Sequence, residues 1–151
     1  FRKDRVSQYP TYIYSLVHSL VISISGMCFL FGLLPKSAME ISFNFTMGYV
    51  LYDISVIMNN KSIPNRMEAI VHHVIMYMLF TVRESFFVEL VFSMLSEIST
   101  IFLNTSWIIY QSGNTKSLIF RLNTYAVIIS YLIFRVVSFP VLIIWSIILR
   151  S

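Results

Sequence analysis

The chain predicts an all-α fold, a polytopic bundle of about five transmembrane helices, and three observations carry that prediction. Of its 151 residues 57% are hydrophobic and only 12% are charged, with a mean hydropathy of +0.76. The apolar residues fall in five long runs separated by short polar links, the pattern of a chain whose solvent is lipid. None of these runs alternates apolar and polar residues as a barrel strand would.

A helix needs about 20 apolar residues to cross a hydrocarbon core of about 30 Å. The first run extends from about Ile13 to Leu34 and stops at Pro35. The second extends from about Ile41 to Asn59, where NNKSIPN closes it. The third, from about Glu68 to Val82, is short and joins the fourth through Arg83, Glu84 and Ser85. The fourth covers about Phe86 to Tyr110 and ends before QSGNTK. The fifth stays apolar from about Leu118 to Leu149, longer than a bilayer requires. A kink is expected there at Pro140, because proline lacks the N–H donor and clashes with the carbonyl one turn back.

With four glycines, four prolines, no repeat and no low-complexity tract, residues 1–151 read as a single transmembrane domain. The first residue is Phe1, which suggests that preceding residues were processed off or are absent from this version. Cys28 is the only cysteine, so neither a disulfide framework nor a thiolate metal site is expected. Counting alternate sides, Arg2, Lys3, Arg5, Lys61, Arg66, Lys116 and Arg121 share one face, against Lys36, Arg83 and Arg150 on the other. The positive-inside rule puts the richer face in the cytosol or its equivalent. The net charge of +4 is thus an orientation signal and a grip on anionic lipid. Scattered basic residues argue against a nucleic-acid partner. Asn-x-Ser/Thr sequons occur at Asn44, Asn60 and Asn104, two inside spans and one on the basic face, so none is expected to carry a glycan.

Ionisable groups inside a membrane are costly, which makes His72 and His73 in MEAIVHHVIMYMLF the leading site candidates. At a rise of about 1.5 Å per residue, His18, Asp53, His72, His73 and Asn104 all lie about 6 to 9 Å in from the basic face. Asn123 and Thr124 fall at a similar level, Glu97 near the midplane and Arg135 toward the opposite face. By depth, Glu89 is the expected partner of Arg135. On the fourth run Glu89, Ser93, Glu97, Thr100, Asn104, Trp107 and Gln111 follow helical steps, a polar face that must point into the bundle. For Ser93, Thr100 and Asn104 the competing explanation is hydrogen bonding between packed helices. Ser15, Ser19 and Ser23, continued by Gly26, form a small-residue ridge expected to let helices approach closely. Tyr49, Tyr52, Tyr77 and Tyr125 read as core or interfacial aromatics.

A neutral imidazole can act as general base, nucleophile or metal ligand, and a carboxylate such as Asp53 can fix its tautomer. Adjacent histidines point about 100° apart on a helix, so one can face a substrate while the other meets an orienting group. That division suits acyl transfer. A metal held by His18, Asp53 and one of His72 or His73, or a haem bridged by His18 and the pair, are weaker alternatives. No metal and no cofactor is therefore expected.

Asp53 in GYVLYDISVI, the pair in NRMEAIVHH, the stretch SEISTIFLNTSW and the arginine in FRVVSFP resemble, in that order, the TLC-domain membrane proteins. YSLVHSLVISISG is similar to an early helix of the small members. The resemblance spans about residues 13 to 145 and implies a bundle around a lipid-accessible cavity. It implies a role in lipid binding, lipid homeostasis or membrane composition. The family includes ceramide synthases, whose paired histidine transfers an acyl group from acyl-CoA to a sphingoid base; only His72 and His73 carry that role across. Ceramide synthases follow the pair with His-Asp and Ser-Asp in the next span, where this chain has SEISTIFLN. The resemblance also implies a domain incomplete at one or both ends, since the family has six or more helices.

The expected function is accordingly that of a lipid-binding membrane protein. The alternatives are an accessory subunit of a larger membrane complex and an acyl-CoA-dependent acyltransferase. As an enzyme it would use His72, His73 and Asp53. His18, Glu97, Thr100, Asn104 and Arg135 are the candidates for the polar layer of a lipid cavity. The expected partners are membrane lipid, a long acyl chain and other membrane subunits. The expected location is the endoplasmic reticulum or the mitochondrial inner membrane.

Overall fold

A computed structural model describes residues 9–60, 63 and 65–150. Every regular element among them is helical. Arg2, Lys3, Arg5 and Lys61 of the basic face lie outside the described residues. The helices are α1 (Tyr9–Leu30), α2 (Lys36–Asn59), α3 (Arg66–Thr81), α4 (Phe87–Leu95), α5 (Glu97–Gln111), α6 (Leu118–Tyr131) and α7 (Ser138–Arg150). They make five rods, because α4 and α5 run on through Ser96, and a π-helical segment, Leu132–Val137, joins α6 to α7.

Local chemistry explains where the rods end. Gly32 takes a left-handed φ of 71°, and Gly32 N–H and Leu33 N–H donate to the Phe29 and Cys28 carbonyls. This paired closure satisfies the orphan acceptors of α1. Pro35, extended at ψ 161°, opens α2, and the Ser117 hydroxyl caps α6 by accepting from Phe120 N–H. The first, second, fourth and fifth rods are long and apolar enough to cross a membrane. With 16 residues, α3 rises only about 24 Å. It is the short run the sequence indicates, and its apolar length falls short of a hydrocarbon core of about 30 Å.

Two rods depart from the straight helices assumed from sequence. At the α4–α5 junction the hydroxyls of Ser93, Ser96 and Ser99 donate to the carbonyls of Leu90, Ser93 and Ser96 at 2.8, 2.6 and 2.7 Å. The amides of Ser96 and Ser99 bond three residues back rather than four. Serines spaced by three thus divert the ladder and tighten the rod at Ser96. In the fifth rod the expected irregularity lies in the π segment, one turn before Pro140. The clash partner of Pro140 is the Val136 carbonyl, inside that segment, which is where proline acts.

The bundle core is a cluster of Ile22, Met39, Phe43, Phe80, Leu90, Val91 and Met94 from α1 to α4. Phe43 packs edge-on against both Phe80 and Phe87. The serine ridge does bring α1 close: Ser19 and Ser23 are fully buried, and a Cβ on Gly26 would sit 3.3 Å from Leu95 Cδ2. In the bundle α1 contacts α2, α4 and α5, while α3 packs on α2 and α6 on α5.

Candidate functional site

Above the apolar core the helices part to enclose a polar chamber of about 170 Å³. Ile22, Phe80 and Met94 belong to both and form its floor. The walls take Ser15 and His18 from α1, Tyr49 and Asp53 from α2, His72 and His73 from α3, Glu97 and Thr100 from α5, and Arg135 from the π segment. Seven of the eight site candidates named from the sequence, all but Asn104, therefore meet in one cavity.

His73 is held on both sides. Its Nδ1 lies 2.7 Å from the Ala69 carbonyl, and its Nε2 lies 3.1 Å from Asp53 Oδ2. The carbonyl only accepts, so Nδ1 carries a proton, and a second proton must lie between Nε2 and the carboxylate. Whichever atom holds it, the pair is neutral overall, which spares the bilayer interior an unpaired charge.

A second neutral pair closes another wall. Arg135 Nη2 lies 3.8 Å from Glu97 Oε1, and Ser19 donates to Glu97 Oε2 at 3.0 Å. Arg135 also donates through Nε to Ser99 and through Nη2 to Thr100, each at 3.0 Å. The expectation that Glu89 partners Arg135 is thus corrected. Depth reckoned along straight helices fails here because the Ser96 tightening and the π segment both alter register. A long guanidinium stem also carries its charge well away from its own Cα.

His18 is 5% exposed and stacks on Tyr49 at 3.9 Å between ring centroids, yet among the described residues its Nε2 has no hydrogen-bond partner. His72 meets His73 edge-on, with the ring planes at 86°. It makes no hydrogen bond among the described residues and stands exposed at the chamber's margin. Thus one histidine is locked, while His18 and His72 line the cavity.

Asn104 is buried and donates to Ser15 at 2.9 Å. It lines a neighbouring cavity of about 170 Å³ that shares Ser15, Tyr49 and Asp53 with the chamber. Tyr12 stacks on Trp107 beside it, at 3.8 Å. Asn123 bonds the Phe102 carbonyl and Ser106 of α5, whereas Thr124 bonds the Phe120 carbonyl of its own helix; neither lines the chamber. Tyr49 is the residue sequence reading passed over. Its position four before Asp53, on the same helical face, was the available signal. Among the described residues no three His, Cys, Asp or Glu side chains converge to hold a metal. His18, Asp53 and the histidine pair thus line one cavity without forming a ligand set.

A family model described as the TLC domain matches residues 9–151. No curated protein and no solved structure gives a significant match.

Proposed function

The chain belongs to the TLC-domain family and is an integral, multi-pass membrane protein, and from that premise we propose that it binds membrane lipid in the polar chamber and acts on membrane composition through that binding. The observation that carries this reading is the unpartnered, buried His18 Nε2. A polar atom left alone in a bundle interior costs about 1 to 3 kcal/mol, which a ligand head group would recover. His72, exposed at the margin, supplies a second contact where lipid arrives from the bilayer.

Native mass spectrometry of the full chain from mild detergent tests this reading, because it reports lipid and partner subunits together. Co-purifying lipid is expected. The combined substitution His18→Leu and His72→Leu should lower it roughly ten- to thirtyfold, the loss of two hydrogen bonds of about 1 kcal/mol each. Undiminished lipid in that variant refutes the reading. A partner subunit retained without lipid favours an accessory role in a larger assembly.

Acyl transfer assigns the roles differently. Both nitrogens of His73 are engaged, so the base or acyl acceptor would be His72, with Asp53 and His73 as positioning groups. His72→Ala should then abolish lipid product while the fold persists, and an unchanged lipid profile removes this alternative.

A further inference from the structure

Beside the chamber lies an apolar slot of about 260 Å³ between α3, α4 and α7. Met76 and Leu79 form one side, Leu90 and Ser93 the back, and Ile143 and Ser146 the other side. Met76 and Ser93 line the chamber as well. The two spaces are therefore neighbours that share these two side chains, polar on one side and oily on the other.

We propose that they form a single bipartite site for a single-chain amphiphile with a small, uncharged, hydrogen-bonding head, such as a long-chain alcohol. The tail lies in the α3–α4–α7 slot and the head enters the chamber; this rests on the reading that the chamber binds lipid. Three observations select the ligand class. The chamber volume of about 170 Å³ suits a small head group rather than a coenzyme. Its charges are already matched, His73 with Asp53 and Arg135 with Glu97, so a charged head would enter without a counter-charge. Hydrogen-bonding capacity nevertheless remains at His18 Nε2 and His72. A hydroxyl, which both donates and accepts, meets an imidazole in either tautomer. The slot shares Met76 and Ser93 with the chamber, and apart from Glu89, Ser93 and Ser146 its lining is aliphatic or aromatic, an environment for methylenes.

The test uses the full chain in lipid nanodiscs and hexadecanol carrying a photoactivatable diazirine at mid-chain. Labelling is expected on α3, α4 and α7 around Leu79, Leu90 and Ile143. Unlabelled hexadecanol should compete, and lysophosphatidylcholine should not. Ser146→Trp fills the slot and should weaken hexadecanol binding about tenfold, the loss that accompanies excluding about two methylenes. Labelling of the unmutated chain keeps the test valid if that variant fails to fold. Label placed elsewhere, or equal competition by lysophosphatidylcholine, overturns the bipartite site. If the chamber variant His18→Leu still loses lipid in that case, the lipid-binding reading survives. If that variant retains lipid fully, the lipid-binding reading falls, and the bipartite site with it.

Discussion

His73 is flanked by two acceptors, a carbonyl and a carboxylate, and this makes its contribution separable from that of Asp53. His73→Ala leaves the Asp53 carboxylate, only 10% exposed as a side chain, without its partner. Removing one member of such a pair costs about 3 to 5 kcal/mol. Asp53→Asn keeps a donor for Nε2 and should cost far less. Thermal unfolding in detergent should therefore rank His73→Ala well below Asp53→Asn; the opposite order contradicts the shared-proton arrangement. Arg135 and Glu97 lend themselves to a double-mutant cycle. Arg135→Leu and Glu97→Gln together should cost less than the sum of the two single changes, with a coupling of about 0.5 to 3 kcal/mol, and simple additivity argues against the pair. Residue-level reading from the sequence succeeded where the geometry is local. The adjacency of His72 and His73 alone fixes their divergence. It missed the Arg135–Glu97 pair, which depends on how two irregular rods lie against each other.

At the scale of the helices, Pro35, NNKSIPN and QSGNTK marked the ends of the rods because breakers act on their own neighbourhood. The interruption at Ser96 was hidden for a different reason. Serine is tolerated within helices, and only its hydroxyl bond three residues back turns it into a disturbance. Ser96→Ala removes the middle bond of that ladder and leaves Ser99 to hold Arg135. Amide exchange across residues 96–99 should slow in this variant as bonds four residues back re-form, and unchanged exchange would show that packing rather than the hydroxyl breaks the rod. The π segment has a comparable origin in Pro140. It brings Arg135 into the chamber, a displacement that hydrophobic periodicity does not register.

For the whole molecule, connectivity puts Arg66, Lys116 and Arg121 at one end of the bundle and Lys36 and Arg83 at the other. Asn60 lies at the richer end, whereas Asn104 is buried against Ser15 and Asn44 accepts from Arg83. Expressed in a eukaryotic cell, the protein should show no mobility change on endoglycosidase treatment; a glycan on Asn60 would invert the topology. The broad architecture was legible because lipid imposes length and polarity on every span, while the chamber's shape depends on contacts among five rods that no single run encodes. The matched charges of the chamber also constrain how the protein is made. Asp53, His73, Glu97 and Arg135 arrive on four different rods, so each pair is split during synthesis and becomes complete only when the later rod docks. Until then Asp53 and Arg135 each weigh against membrane insertion by about 3 kcal/mol. The same pairing that makes the finished site neutral makes the half-built chain a reluctant membrane resident, dependent on its last rod to stay in place.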